Sequence, residues 1–311
     1  MITAVSLNPA IDKTIMITDF NWGEVNRIES TRNDIGGKGI NVAKILNRLN
    51  VQTQVCGYIG NQNKQIVEEL LSHEKLHCQF LEADGLTRTN TKIVELDKGI
   101  TTELNEQGFF LTGEQMKQFQ VILLEEAAHS DFVVFSGSIP RGLAKETYQE
   151  FISIVHPYTK TILDAEGSLL VEGIKAGPYM IKPNIHELEE AFHIKFAADE
   201  DIIIFCKSLA DMYGIHLILV SMGEKGSLLI SEKECYKAEP IKVAVKSTVG
   251  AGDSMIAGML YGINKGLTTR DAFAFAVACG TLAVTKEGTM SFAIGEIQEM
   301  LRSVHILNLI N

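Results

Sequence analysis

An α/β fold built on a mainly parallel sheet, with a small second sheet beside it, is the architecture this sequence predicts. Three observations carry that reading. Short β-rich runs alternate with helix-length segments, several runs are apolar on both faces, and two stretches offer paired strands with no helix between them. In chain order, a strand over residues 3–7 precedes a helix over 38–49, a strand over 54–59 and a helix over 65–72. The rhythm returns with buried-type strands at 132–135, 161–163, 179–181 and 217–220, each separated by enough chain for a helical crossover.

The exceptions are 14–20 with 25–30, and 89–96 with 100–104. Asp97-Lys98-Gly99 supplies hairpin chemistry for the second pair. Strands without helices of their own cannot bury both faces on the main sheet. They are read as a small β lid drawn from about residues 12–30 and 88–105, and also as a candidate dimer surface. An antiparallel extension of the main sheet is the alternative. At 311 residues, with no linker or repeat, the chain is expected to form a single domain over 1–311.

A formal charge of -11 argues against nucleic acid or an anionic membrane as partner, since both are bound by clustered Lys and Arg. Any anionic ligand must meet a local cationic pocket. The five cysteines are scattered without a CxxC pair, so neither a disulfide framework nor a cysteine zinc site is suggested. The opening MITAVSLNPAID reads as a first strand rather than a signal peptide, and the longest apolar stretch, 272–284, is too short to span a bilayer. A cytoplasmic protein is expected.

The most informative segment is IKVAVKSTVGAGDSMIAGMLYGI. It reads as a strand ending at Lys246, a glycine turn, and a helix starting near Asp253. Gly250 and Gly252 let a ligand approach the backbone, and free N–H groups of a helix start attract anions. Met255 stands where a dinucleotide fingerprint needs Gly or Ala, and no Walker A loop occurs. Asp253 could take a proton from a hydroxyl beside such an anion hole; by itself it is equally consistent with a helix cap. GGKGINVA, residues 36–43, opens a second helix with Lys38 and Asn41 near its start, which favours a two-ligand site.

Together, GGKGINVA and STVGAGDSMIAG resemble the two signature segments of the PfkB branch of ribokinase-like sugar kinases. SLNPAID, GEVNR, Thr87-Arg88, SGSIP, IKPNIHEL and VSMGEKG extend the resemblance in the family's order across nearly the whole chain. Within the family the chain is most similar to 1-phosphofructokinases, with tagatose-6-phosphate kinases close behind. The resemblance implies a ribokinase-like three-layer α/β/α domain with a mainly parallel sheet and a small β-sheet lid. It implies Asp253 as general base, with the Gly250, Ala251, Gly252 and Asp253 backbone as anion hole. Asp12, Gly37 and Asn41 would hold sugar hydroxyls, and Arg27, Lys38, Arg88 and Ser138 the substrate's own phosphate. Lys182, Asn184, Ser221, Gly223, Gly226 and Thr248 would meet ATP, and Asn184 with Glu187 would order water around Mg2+. The implied reaction is transfer from ATP to a ketohexose phosphate, fructose 1-phosphate giving fructose 1,6-bisphosphate, with a tagatose-6-phosphate kinase as the alternative. Ser247 departs from the Asp of many members, and Asn61-Gln62-Asn63 from a further Gly.

Two readings from other classes compete. His73-Glu74-Lys75-Leu76-His77 matches HExxH, which on one helix presents two imidazoles to zinc. Against it, the helix is expected to end within the motif. A sugar-phosphate or nucleotide sensor could keep the fold without catalysis, but such a binder has no use for a proton acceptor at the anion hole.

Overall fold

The computed structural model describes residues 1–286, 288 and 292–309. Among them a ten-stranded sheet carries parallel strands β1 (Ile2–Ser6), β4 (Thr53–Gly60), β5 (His77–Ala83), β8 (Phe132–Ser136), β9 (Lys160–Asp164), β10 (Met180–Ile181) and β11 (Leu217–Ser221). Three antiparallel strands, β12 (Ser227–Ile230), β13 (Cys235–Ala238) and β14 (Ile306–Asn308), extend one edge. The order is β14-β13-β12-β11-β10-β9-β8-β1-β4-β5.

Alternation along the strands divides the core between the two faces. Ile218 and Val220 join Val5, Phe135 and Leu163 in one cluster, whereas Leu217 and Leu219 join Ile2, Val134 and Ile162 in another. The first is covered by α3 (Gly113–Ala128), α4 (Thr147–Val155), α5 (Gly167–Gly173), α6 (Ile185–Phe192) and α7 (Asp199–Tyr213). The second is covered by α1 (Lys38–Arg48), α8 (Ala251–Asn264), α9 (Thr269–Val284) and α10 (Ile294–Leu301). Both faces being dry explains why the parallel strands read as unbroken apolar runs. The chain leaves β1 toward β4 on one side and returns to β8 on the other, so the crevice beyond the carboxyl ends of these strands is a topological switch point.

The small sheet has the order β3-β2-β6-β7, with β2 (Ala10–Ile17), β3 (Ser30–Gly36), β6 (Arg88–Glu95) and β7 (Ile100–Asn105). The second hairpin lies where its turn chemistry put it. The first is displaced: β2 starts earlier than residue 14, and β3 follows the expected 25–30 strand rather than coinciding with it. Residues 19–29 are a loop in which Asn26 accepts from the Asn21 N–H and donates to its carbonyl, both at 2.8 Å. Val25 there is 90% exposed. The real strand, STRNDIG, is polar along most of its length, so periodicity did not mark it; pairing with β2 made it.

One further expectation fails, and the expected end of the helix within HExxH is met. Residues 241–246 form no strand before the glycine turn; instead the Lys246 and Ser247 N–H groups donate to the Val284 carbonyl at the end of α9, at 2.8 and 3.3 Å. The HExxH pattern is split. Helix α2 (Lys64–Glu74) ends at Lys75 in the left-handed region, and His77 already belongs to β5, so the imidazoles do not share a helical turn. Glu74 instead pairs with Lys44 at 2.9 Å and Arg48 at 3.5 Å. Among the described residues no helix is long and apolar enough to cross a membrane.

Candidate active site

Gly250, at φ 79°, caps α8, whose first intrahelical bond runs from the Ser254 N–H to the Gly250 carbonyl at 2.9 Å. The N–H groups of Gly252 and Asp253 are left without an intrahelical acceptor, with the positive end of the helix dipole behind them. A Cβ on Gly252 would stand 2.8 Å from Lys182 Nζ, so the ammonium lies directly across the turn and a side chain there would push it aside. The helix starts at Ala251, two residues ahead of Asp253, and Asp253 is its third residue rather than its cap. The capping alternative therefore fails.

Asp253 is buried, and Asn41 Nδ2 on α1 donates to its Oδ2 at 2.8 Å. Burial raises its pKa first, with the nearby Asp164 carboxylate adding to it, and Lys38, Asn41 and Lys182 hold the rise to about 6. A carboxyl near that value is ionised at neutral pH and still basic enough to accept a proton.

Asp164, which ends β9, organises the cations and was missed in the sequence. It is 1% exposed and lies 3.4 Å from Lys182 Nζ and 3.7 Å from Lys38 Nζ, and it accepts from Ser136 Oγ at 2.9 Å. Burial works to raise its pKa, but the two ammoniums and the hydroxyl outweigh it and hold the carboxyl below the ordinary range. Lys38 also approaches Glu187 Oε1 at 4.0 Å; Asp164 foremost keeps its ammonium firmly protonated, against burial. The available signal was a carboxylate closing an apolar parallel strand, the end at which α/β folds bind ligands.

On the small-sheet side, Asp12 is covered, and a Cβ on Gly36 would lie 2.2 Å from its Oδ2, which explains the glycine. Asn90 Nδ2 donates to Asp12 Oδ1 at 3.2 Å, and Asn8 Nδ2 to Ser138 Oγ at 3.2 Å. Arg88 gives its terminal nitrogens to the carbonyls of Asn8 at 3.0 Å and Glu106 at 3.3 Å. Gly37 caps α1 between Asp12's sheet and Asn41. Asp12, Gly37, Asn41, Arg88 and Ser138 are thus linked, directly or through Asn8, Asn90 and Gly36, by neighbouring contacts. Asn8 and Asn90 are additions, recognisable as polar residues at strand ends or facing Asp12. Arg27 is not brought in; it lies exposed on the 19–29 loop. Lys38 is drawn to the opposite end, among Asp164, Glu187 and Asp253.

The nucleotide-side candidates sit at the ends of β10 and β11. Asn184 caps α6 in a reciprocal box: its Oδ1 accepts the Glu187 N–H at 2.9 Å, and Glu187 Oε2 accepts the Asn184 N–H at 2.7 Å. Ser221 N–H donates to the Pro183 carbonyl at 3.2 Å. Gly223 and Gly226 shape the turn into β12, and Thr248 lies exposed beside the glycine turn, its carbonyl 3.4 Å from the Ala251 N–H.

Residues 5–294 match the model of the pfkB family carbohydrate kinases. The chain belongs to this family. The pfkB fold, ribokinase-like with its large mostly parallel sheet and separate small sheet, is the one expected, and the protein is a carbohydrate kinase. It is 36% identical to the 1-phosphofructokinase of Haemophilus influenzae over 98% of this chain and 97% of that one. It is 34% identical to the 1-phosphofructokinase of Bacillus subtilis, over 99% and 100%. In structure it is similar to phosphofructokinase-2 from Escherichia coli in complex with substrates and products, with a TM-score of 0.91 at 24% identity over 97% and 98% of the two chains. This last likeness speaks for the pfkB fold alone.

Proposed function

We propose that the chain works as one kinase domain in the cytoplasm. It transfers the γ-phosphoryl group of ATP to the free primary hydroxyl of a ketohexose phosphate, fructose 1-phosphate being converted to fructose 1,6-bisphosphate. The observation that carries this reading is the buried Asp253 carboxyl, raised to about 6, in the first turn of a helix whose free N–H groups face Lys182. The substrate hydroxyl gives its proton to Asp253 as its oxygen attacks the γ-phosphorus, and the bond from that phosphorus to the β–γ bridging oxygen breaks to release ADP. The Gly250–Asp253 backbone, Lys182 and Lys38 meet the charge on the transferred oxygens. Arrangement in place before substrate arrives lowers the cost of positioning.

The loop carrying Ser221, Gly223 and Gly226, with Thr248 opposite, is assigned to the nucleotide. Asp12, Gly37 and Asn41 are assigned to sugar hydroxyls, and Arg88, Ser138 and Arg27 of the exposed 19–29 loop to the substrate's phosphate end. A magnesium ion fits the donors here, because the capping box uses Asn184 Oδ1 and Glu187 Oε2 and leaves Glu187 Oε1 on the site side, near Lys38. Oxygen donors few in number, sharing the ion with water and phosphate, suit Mg2+, which would neutralise phosphate charge. The small sheet also bears exposed Leu96, Ile100 and Leu104, which supports its use as a homodimer surface.

A coupled assay with ATP and magnesium, offering fructose 1-phosphate, tagatose 6-phosphate, fructose 6-phosphate and ribose, tests the reading. Fructose 1-phosphate is expected to give the highest kcat/KM. A preference for tagatose 6-phosphate reassigns the substrate, and no turnover with any of the four leaves a sensor.

A further inference from the structure

Arg88, Asn90 and Lys92 alternate along β6, so all three project from one face of the small sheet. Register pairs Asp12 with Asn90 and Thr14 with Lys92, which puts Asp12 on that same face. The hydrogen bond from Asn90 to Asp12 confirms it. Asp12 and Lys92 are each 8% exposed. Yet Lys92 forms neither an ion pair nor a hydrogen bond with any described residue. The stem of Lys92 is covered, but its Nζ is not among the fully buried unpartnered atoms, so the ammonium reaches open space where a ligand can supply the anion.

The surroundings of Lys92 hold further polar atoms that the protein leaves unpartnered. Asn8 Oδ1, Asn41 Oδ1, Asn90 Oδ1 and Arg88 Nε are all buried and without a hydrogen-bond partner. The other cations near the site are committed or distant: Lys38 and Lys182 to Asp164, the Arg88 terminal nitrogens to two carbonyls, and Arg27 to an exposed loop. Asp12 feels Lys92 more strongly than any other charge, burial alone outweighing it. Its carboxylate is nevertheless occupied by Asn90 and closed in by Gly36.

We propose that Lys92 is a substrate-recognition residue whose ammonium receives the phosphate already present on the ketose phosphate, with Asn90 Oδ1 accepting an adjacent sugar hydroxyl. This rests on the sugar-phosphate kinase reading and sharpens it. The end of the substrate remote from the reacting hydroxyl is read by a stripe on β6, spaced at the period of a strand.

The test compares wild type, Lys92→Met and Lys92→Arg, using KM and calorimetric Kd for fructose 1-phosphate, and Kd for the unphosphorylated ring analogue 2,5-anhydro-D-mannitol. Lys92→Met should weaken fructose 1-phosphate by about tenfold or more, with kcat at saturation little changed, while the analogue binds as to wild type. Lys92→Arg should restore most of the loss. Equal loss for both ligands would mean that Lys92 acts only through Asp12, and overturns the inference; so does an unchanged fructose 1-phosphate affinity. A wild type inactive on every ketose phosphate sinks the kinase reading and this inference together, whereas an active wild type with an unmoved Lys92→Met sinks the inference alone.

Discussion

The two walls of the cleft are finished to different degrees. At the carboxyl ends of the main-sheet strands, Asp164 holds Lys38, Lys182 and Ser136, Asn41 holds Asp253, and Asn184 and Glu187 cap each other. On the small sheet, among the described residues, Asp12 has only Asn90 as a hydrogen-bond partner, Lys92 has none, and Asn90 Oδ1 and Arg88 Nε are buried without one; on the main-sheet wall Asp164 Oδ1 also lacks a hydrogen bond but lies 3.4 Å from Lys182 Nζ. On the proposed reading, the transferring end is thus pre-organised by the protein, and the sugar end is completed by its ligand. Preorganised charge is what phosphoryl transfer needs, because reorganisation at the moment of reaction would add to the barrier. Unsatisfied groups are what discrimination needs, because a ligand lacking the matching atoms leaves them unpaired.

The sharpest way to break this contrast is Asp253→Asn. Loss of the proposed general base should lower kcat by about 10³-fold, with fructose 1-phosphate affinity near wild type; undiminished turnover would remove Asp253 from catalysis. The same variant should melt higher at neutral pH. The folded-state pKa of about 6 lies above the usual value of about 3.9. The carboxyl therefore contributes to stability below pH ~4 and loses that contribution as pH rises through ~6. Wild type should fall behind the variant by on the order of 1–3 kcal/mol across that window, read as a difference in Tm at pH 4 and pH 7.

Asp164→Asn comes next. It leaves two covered ammoniums without their carboxylate, and should destabilise the protein by roughly 3 kcal/mol and reduce kcat by about 10²-fold. It also removes the like charge that helps raise Asp253 and frees Lys38 and Lys182 to act on it, so the acid limb of the kcat/KM profile should move to lower pH. An unmoved limb would show that Asp164 only holds the lysines.

In wild type, kcat/KM should fall by about fivefold between pH 6 and pH 5 as Asp253, with its pKa of about 6, takes up its proton, and be nearly flat from pH 7 to 8. The smallest effect belongs to Asn184→Ala. Loss of the reciprocal cap should cost about 1 kcal/mol, measured by denaturant unfolding, and raise the magnesium concentration needed for half-maximal rate while leaving the Kd for fructose 1-phosphate unchanged.

Local signals made the parallel strands, the crossover helices and the second small-sheet hairpin legible, because dry parallel strands and Asp-Lys-Gly turns carry their own composition. Strand β3 escaped, since its residues are polar and only pairing with β2 and continuity into Gly36 and Gly37 hold it extended. Residues 241–246 misled in the opposite sense: their alternation is that of a strand, but the neighbouring backbone groups are taken by the end of α9. Asp164 and Lys92 escaped because neither stands in a glycine signature, and each acquires its meaning from residues far away in the chain.

By itself, then, the sequence determined the α/β class, the glycine turn with Asp253 and the second turn with Lys38 and Asn41, all of which depend on short-range spacing. Only the tertiary structure decided that Asp253 is the third residue of its helix and not its cap, that Lys38 leans toward Asp164 rather than toward the small sheet, and that Lys92 faces Asp12's side of the small sheet without an ion pair or hydrogen bond to any described residue. The reason is electrostatic. Turn geometry is set within a few residues, whereas the charge a group meets depends on what the fold buries beside it.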